Sequence, residues 1–191
     1  MQLIFATHNK HKLKEVRSLI PNSIDLLSLD DINLLEEIEE TATTIEGNAL
    51  LKAQTIYKQT GINCFADDSG LLVDILNGEP GVYSARYAGE HKNDSDNLEK
   101  LLKELSGKEN RNAHFKTAMA LVIDGKEYLF EGTIHGTITT QRSGVNGFGY
   151  DPIFLPNGYN ETFAEMSSDI KNVISHRANA MKKLVEFINS I

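Results

Sequence analysis

The spacing of apolar residues changes along the chain, and each change predicts an element. Leu3 to Ala6 is a short unbroken apolar run that reads as a strand over Gln2 to Ala6. After the polar turn Thr7-His8-Asn9, residues Leu13, Val16, Leu19 and Ile20 recur on one face, predicting a helix from Lys10 to Ile20. Ala49, Leu50, Ala53, Ile56 and Tyr57 predict a second helix over Glu46 to Lys58, ended by Gly61. Between Asn63 and Ile75 two apolar pieces, Cys64–Ala66 and Leu71–Val73, read as core strands separated by Asp67-Asp68-Ser69-Gly70. Leu98, Leu101, Leu102 and Leu105 predict a helix over Ser95 to Leu105, with Gly107 as terminator. His114 to Ile123 and Glu127 to His135 are strand-prone runs joined by Asp124-Gly125, a good hairpin turn, so they should pair antiparallel. Ala180, Met181, Leu184, Val185 and Ile188 predict a last helix over His176 to Ile188, with Ser175 as its cap. No repeat, low-complexity stretch or linker interrupts this order, which indicates one α/β or α+β domain over residues 1–191, built on a mixed sheet.

Composition narrows the function rather than the fold. With 191 residues, 40% hydrophobic and 24% charged, the chain can bury one sizeable core and lacks the signature of disorder. A net charge of -8 excludes a surface built to hold a long nucleic-acid backbone, but not a small anion gripped locally by a few cations and N–H donors. The single cysteine, Cys64, forbids an intrachain disulfide and sits in an apolar stretch as a buried structural residue. No run is long enough to span a membrane and no secretory leader is recognisable, so the expected setting is the cytoplasm.

Five segments carry candidate chemistry. Thr7-His8-Asn9-Lys10-His11-Lys12 opens a helix where free N–H groups and the positive end of the dipole favour an anion, and two lysines there cost stability unless one is bound. Asn9 as a cap beside solvated lysines is the competing account. Adjacent carboxylates at Asp67-Asp68 are expensive near a core unless a cation or donors hold them, while Asp, Ser and Gly are also ordinary turn residues. Glu36, Glu37, Glu39 and Glu40 supply further carboxylates, which on composition alone form a solvated face. Gly144 to Pro152 concentrates glycines around Phe148 and Tyr150, suited either to base stacking or to a loop of packed aromatics. Lys171-Asn172 and Ser175-His176-Arg177 place donors around the start of the last helix, suited to a phosphate or a carbonyl oxygen.

Together these segments resemble the inosine/xanthosine triphosphate pyrophosphatase family, the non-canonical purine NTP pyrophosphatases. The resemblance runs nearly the full length, through Ala6-Thr7-His8-Asn9-Lys10, Ala66-Asp67-Asp68-Ser69-Gly70-Leu71, Gly78 to Gly89, Gly147-Phe148-Gly149-Tyr150-Asp151-Pro152-Ile153-Phe154, Ala164-Glu165-Met166, Lys171-Asn172 and Ile174-Ser175-His176-Arg177. It implies an α/β fold with an elongated central mixed sheet flanked by helices, two lobes around a nucleotide-binding cleft, a homodimer, and Mg2+ as the required ion. It implies that Thr7, His8, Asn9, Lys10, His11 and Lys12 hold phosphate, that Asp68 is catalytic and a metal ligand, and that Ser69 contacts substrate. Phe148, Gly149, Tyr150, Asp151, Lys171, His176 and Arg177 would complete the nucleotide site. The second metal ligand would be Glu39 or Glu40, with Glu36 a third candidate. Two positions depart from the family pattern: Ala42 stands where Gly is common, and Gly47 where Glu is common.

The reaction implied is attack of water on the α-phosphorus of ITP, dITP or XTP with departure of pyrophosphate, clearing deaminated purines from the nucleotide pool. Lys10, Lys12 and Lys171 would take phosphate oxygens, Phe148 would stack on the base, and His176 or Arg177 would donate to the purine 6-carbonyl. The alternatives are a Maf-type pyrophosphatase acting on pyrimidine or modified nucleotides, and a nucleotide-binding regulatory module that releases no product.

Overall fold

The computed structural model describes residues 1–191. Its strands are β1 (Gln2–Phe5), β2 (Asp25–Ser28), β3 (Cys64–Val73), β4 (Asn112–Ile123), β5 (Lys126–Ile138) and β6 (Phe154–Pro156). Its α-helices are α1 (Lys10–Leu19), α2 (Ile45–Thr60), α3 (Asp94–Glu104), α4 (Ser168–Ile174) and α5 (His176–Ile188). The strands form one six-stranded mixed sheet in the order β2-β1-β3-β4-β5-β6. β1 runs parallel to β2 and β3, and each parallel step is made by a helical crossover, α1 and then α2. β6 closes antiparallel on β5. Between β4 and β5, Asp124 and Gly125 both take left-handed backbone, φ 49° and 75°, as a two-residue hairpin turn requires.

The fold class and seven of the anticipated elements, β1, α1, α2, α3, β4, β5 and α5, agree with the expectation, with ends shifted by a few residues. The region 63–75 is corrected. Cys64–Ala66 and Leu71–Val73 are not two strands around a turn; residues 64–73 are one continuous strand, and Asp67-Asp68-Ser69-Gly70 is its interior. β2, β6 and α4 were not anticipated, and β6 is only three residues long. Asp25-Leu26-Leu27-Ser28 offers only two apolar residues, and α4 leaves Ile170 and Val173 exposed, so neither shows the periodicity of a buried element. Ser175 directly precedes α5, as expected of its cap, and also ends α4, its N–H donating to the Lys171 carbonyl at 2.9 Å.

Two compact units divide the chain, each assembled from separated segments. The first comprises Met1–Asp68, Thr117–Gly132 and His176–Ile191, around a core that includes Leu3, Phe5, Val16, Phe65, Met119 and Leu184. Successive strand residues point to opposite faces, which sorts β3 here. Phe65 stacks on Phe5 at 4.6 Å in the core shared with α1 and α5. Cys64 points the other way, onto α2, its Sγ donating to the Ala53 carbonyl at 3.1 Å. Burial pushes this thiol up to about 12, so it is inert as a nucleophile. The second unit comprises Ser69–Lys116 and Thr133–Ser175, and its core includes Leu71, Leu98, Leu101, Phe115, Phe154 and Phe163. Phe154 lies 4.7 Å from Phe115 and 5.2 Å from Phe163, centroid to centroid. No helix is long and apolar enough to cross a membrane.

Candidate active site

The alternation that sorts Phe65 from Cys64 sorts the two adjacent aspartates. Asp67 follows Phe65 to the face of α1 and α5, where Lys12 Nζ lies 3.1 Å and Arg177 Nε 3.2 Å from its Oδ2. Burial alone would raise the Asp67 carboxyl, but Lys12 and Arg177 outweigh it and hold the group well below the usual carboxylate range. Arg177 is only 1% exposed and its second anchor is Glu15 of α1, paired through Nη1. Two helices and a strand are thereby tied around one buried guanidinium.

Asp68 follows Cys64 to the face of α2. Its Oδ2 accepts from Asn48 Nδ2 at 3.3 Å. Burial pushes this carboxyl up; Lys52 and Lys12 pull it back, while Glu40 and Asp67 add to the rise. Consecutive acids are therefore driven apart, Asp67 fixed as an anion and Asp68 made the more basic of the two.

The helix that faces Asp68 was read one step out of phase. Leu50 and Tyr57 are only half-buried, and the buried stripe of α2 is Ile45, Asn48, Ala49, Lys52, Ala53 and Ile56. Asn48 and Lys52, neither singled out from the sequence, occupy core positions one turn apart. A polar pair inside an apolar 3–4 stripe was the available signal, because such groups are buried only with partners. Lys52 Nζ holds Glu40 Oε1 at 2.5 Å, and although burial works against its charge, Asp68 and Glu40 raise the Lys52 pKa overall. Glu40 is thus electrostatically joined to Asp68. Glu39 and Glu36 are exposed on the same irregular segment, whose carbonyl at Glu36 lies 3.1 Å from His8 Nε2.

At the start of α1, Asn9 Oδ1 accepts from the N–H groups of His11 and Lys12 at 3.0 and 3.1 Å, and Thr7 Oγ1 accepts from the Asn9 N–H at 3.2 Å. The capping account of Asn9 holds: two first-turn amides are satisfied by its side chain. His8, Lys10 and His11 are exposed, whereas Lys12 turns inward to Asp67.

In the second unit, the segment around Phe148 is organised by Asp151. Its Oδ2 accepts from the Phe148 N–H at 2.9 Å and pairs with Lys171 Nζ at 2.6 Å. Lys171 Nζ lies 5.1 Å from the centroid of the Phe148 ring. Gly147, at φ 75°, is required here because a Cβ would run into the Asp151 carboxylate. Gly149 donates to Asp94 Oδ2 at 2.7 Å. Of the two aromatics, Phe148 is half-buried, while Tyr150 is a core residue whose hydroxyl donates to the Ser84 carbonyl at 2.9 Å. Ser69, half-buried on β3, begins this unit directly after Asp68.

The Ham1 family model matches residues 3–187. A dITP/XTP pyrophosphatase of Flavobacterium johnsoniae is 54% identical over 190 residues, covering 100% of this chain and 99% of the relative. The dITP/XTP pyrophosphatase of Bacillus subtilis is 49% identical over 193 residues, covering 99% and 98%. Among solved structures, the Ham1 protein of Staphylococcus aureus superposes with a TM-score of 0.90 at 39% identity, covering 100% of this chain and 99% of that one. A HAM1 protein from Coxiella burnetii gives 0.92 at 35% identity, covering both chains fully.

Proposed function

The chain belongs to the Ham1 family, and from that membership we propose that it hydrolyses dITP, ITP and XTP to the monophosphate and pyrophosphate. The observation that carries the chemical assignment is the separation of Asp67 and Asp68. Asp67 is committed to Lys12 and Arg177 on one face of β3, whereas Asp68 leaves the other face toward Asn48 of α2, which makes Asp68 the carboxylate for the reaction. Asp68 orients the attacking water and receives its proton. Asp67 stays charged and keeps Lys12 and Arg177 in place.

The donor set fits Mg2+. This ion takes one or two carboxylates and completes its shell with water and substrate phosphates, whereas a dedicated protein cage suits other metals. The chain has no cluster of three or more His, Cys, Asp or Glu able to hold a metal alone, but it places Asp68 under the influence of Glu40. We assign the ion to Asp68 and Glu40 rather than Glu39, because only Glu40 is bonded to Lys52 on the Asp68 side. An Mg2+ ion held by Asp68 and Glu40 would supply neutralisation of phosphate charge.

The remaining roles follow from placement. Lys10, exposed at the start of α1, and Lys12 take phosphate oxygens, with Thr7, His8, Asn9 and His11 lining that turn. Phe148 stacks on the base, and Lys171, expected on phosphate, is reassigned to the base because its ammonium lies over that ring. Arg177 spends Nε and Nη1 on carboxylates, which makes His176 the first candidate donor to the 6-carbonyl. A required hydrogen bond to that oxygen rejects the 6-amine of adenine by about 10⁴-fold or more. We further propose a homodimer working in the cytoplasm, whose mass light scattering would report as twice 21.2 kDa.

The test is pyrophosphate release from ITP, dITP, XTP, ATP, GTP and dTTP, each with Mg2+ and with a chelator. Metal-dependent release confined to the first three supports the proposal. Preference for dTTP moves the activity to the Maf-type class, and no release from any leaves a binding module. In the same assay Asp68→Asn lowers turnover by about 10³-fold or more if Asp68 is the base.

A further inference from the structure

We propose that Asn48 is a positioning residue for this reaction, one carboxamide that holds Asp68 and the Glu40 segment in a common frame. The inference rests on the assignment of Asp68 made above. Asn48 is 0% exposed, on the buried stripe of α2. Its Oδ1 accepts from the Ala42 backbone N–H at 2.9 Å, and its Nδ2 donates to Asp68 Oδ2 at 3.3 Å. A backbone N–H can only donate, so the carbonyl end of the amide must face Ala42, and the amino end is thereby aimed at Asp68.

Burying a carboxamide is costly unless its groups are bonded, and an apolar residue on the same stripe would carry no such cost. The amide instead spends both ends on elements far apart in sequence. Ala42 lies two residues beyond Glu40, and Asp68 is in the middle of β3. One turn along the same helix, Lys52 holds Glu40 itself. α2 therefore sends two buried side chains to the two carboxylates, with Asn48 fixing the backbone of one and the side chain of the other. Groups in this position keep reacting carboxylates oriented, and their loss typically costs about 10- to 100-fold in activity or metal affinity.

Two isosteric variants separate the two ends. Asn48→Asp can still accept from Ala42 but removes the Nδ2 donor to Asp68 Oδ2. Asn48→Leu loses both bonds. Turnover and KM for dITP would be measured beside Asp68→Asn, with hydrogen exchange at the Ala42 amide in nucleotide-free, metal-free protein and a melting curve for each variant. The expected result for Asn48→Asp is folded protein, near-parental exchange at Ala42, and kcat lowered about 10- to 100-fold with KM changed less than about threefold. For Asn48→Leu it is the same loss of kcat with Ala42 exchange at least about tenfold faster. If Asn48→Leu does not fold, Asn48→Asp carries the test alone. Parental kcat in folded Asn48→Asp, with Asp68→Asn inactive, overturns this inference and spares the reading of the site. Near-parental turnover in Asp68→Asn overturns both.

Discussion

Among individual residues, the clearest division of labour is between Asp67 and Asp68, neighbours whose side chains leave β3 on opposite faces. Asp67 has two cationic partners, both of which are themselves drawn out of water, so its charge is the countercharge of a buried network. Removing one partner of such a network leaves the others buried and uncompensated. Asp67→Asn is expected to destabilise the fold by about 3–5 kcal/mol, read as a lower urea midpoint at unchanged slope. The pH dependence has a definite sign. The folded state holds the Asp67 carboxyl below its ordinary value, so its contribution is complete above the unfolded pKa of about 4 and is lost as pH falls toward the folded value. The parent should therefore lose stability between about pH 4 and pH 2 more steeply than Asp67→Asn does. An equal slope would show that Asp67 does not stay ionised in the fold. The acidic pair itself was visible in the sequence, but its division was not: as long as 67–70 is read as a turn, nothing assigns the two acids to different faces.

At the level of elements, α2 shows how a readable pattern can be read out of phase. Helical spacing was evident, and Gly61 closes the helix in left-handed backbone at φ 68° as anticipated. Taking only apolar residues as the inward face turned the stripe toward Leu50 and Tyr57 and put Asn48 and Lys52 outside it. Ala42 and Gly47, the two positions where the resemblance implies Gly and Glu, lie against one another. A Cβ added at Gly47 would lie 2.8 Å from Ala42 Cβ and 2.9 Å from Thr44 Oγ1, so both side chains stand where a residue at 47 would need space. Ala42 is thus one of the two side chains that crowd position 47, and its own N–H is bonded to Asn48. In a double-mutant cycle of Ala42→Gly and Gly47→Ala, the double variant should be more stable than the sum of the single changes by about 1 kcal/mol. Additivity within about 0.3 kcal/mol would mean that the two sites are independent.

Across the whole molecule, the mixed sheet, its helices and most of the candidate site residues could be read from local spacing and the motifs, because strand alternation, helical stripes and turn chemistry are local properties. The division into two units could not, since each is assembled from separated segments and three strands contribute to both. For the same reason Glu15, Asn48 and Lys52 carry no motif of their own; their importance comes from what distant segments bring beside them. Charge adds a consequence at this scale. The cations around Asp67 and Asp68, namely Lys12, Lys52 and Arg177, are met by the carboxylates Glu15, Glu40, Asp67 and Asp68, in a chain of net charge -8. Such a balance makes no extended positive field, so a triphosphate is not drawn in from a distance as it would be by a basic cleft. Recognition must act at contact range, between paired groups that salt screens weakly. With Mg2+ held above the nucleotide concentration, kcat/KM for dITP should therefore change less than about threefold between about 20 and 200 mM NaCl. A fall of tenfold or more over that range would mean that the lysines at the start of α1 act as a field rather than as contacts, and that the pairing of Lys12 with Asp67 opens before the substrate arrives.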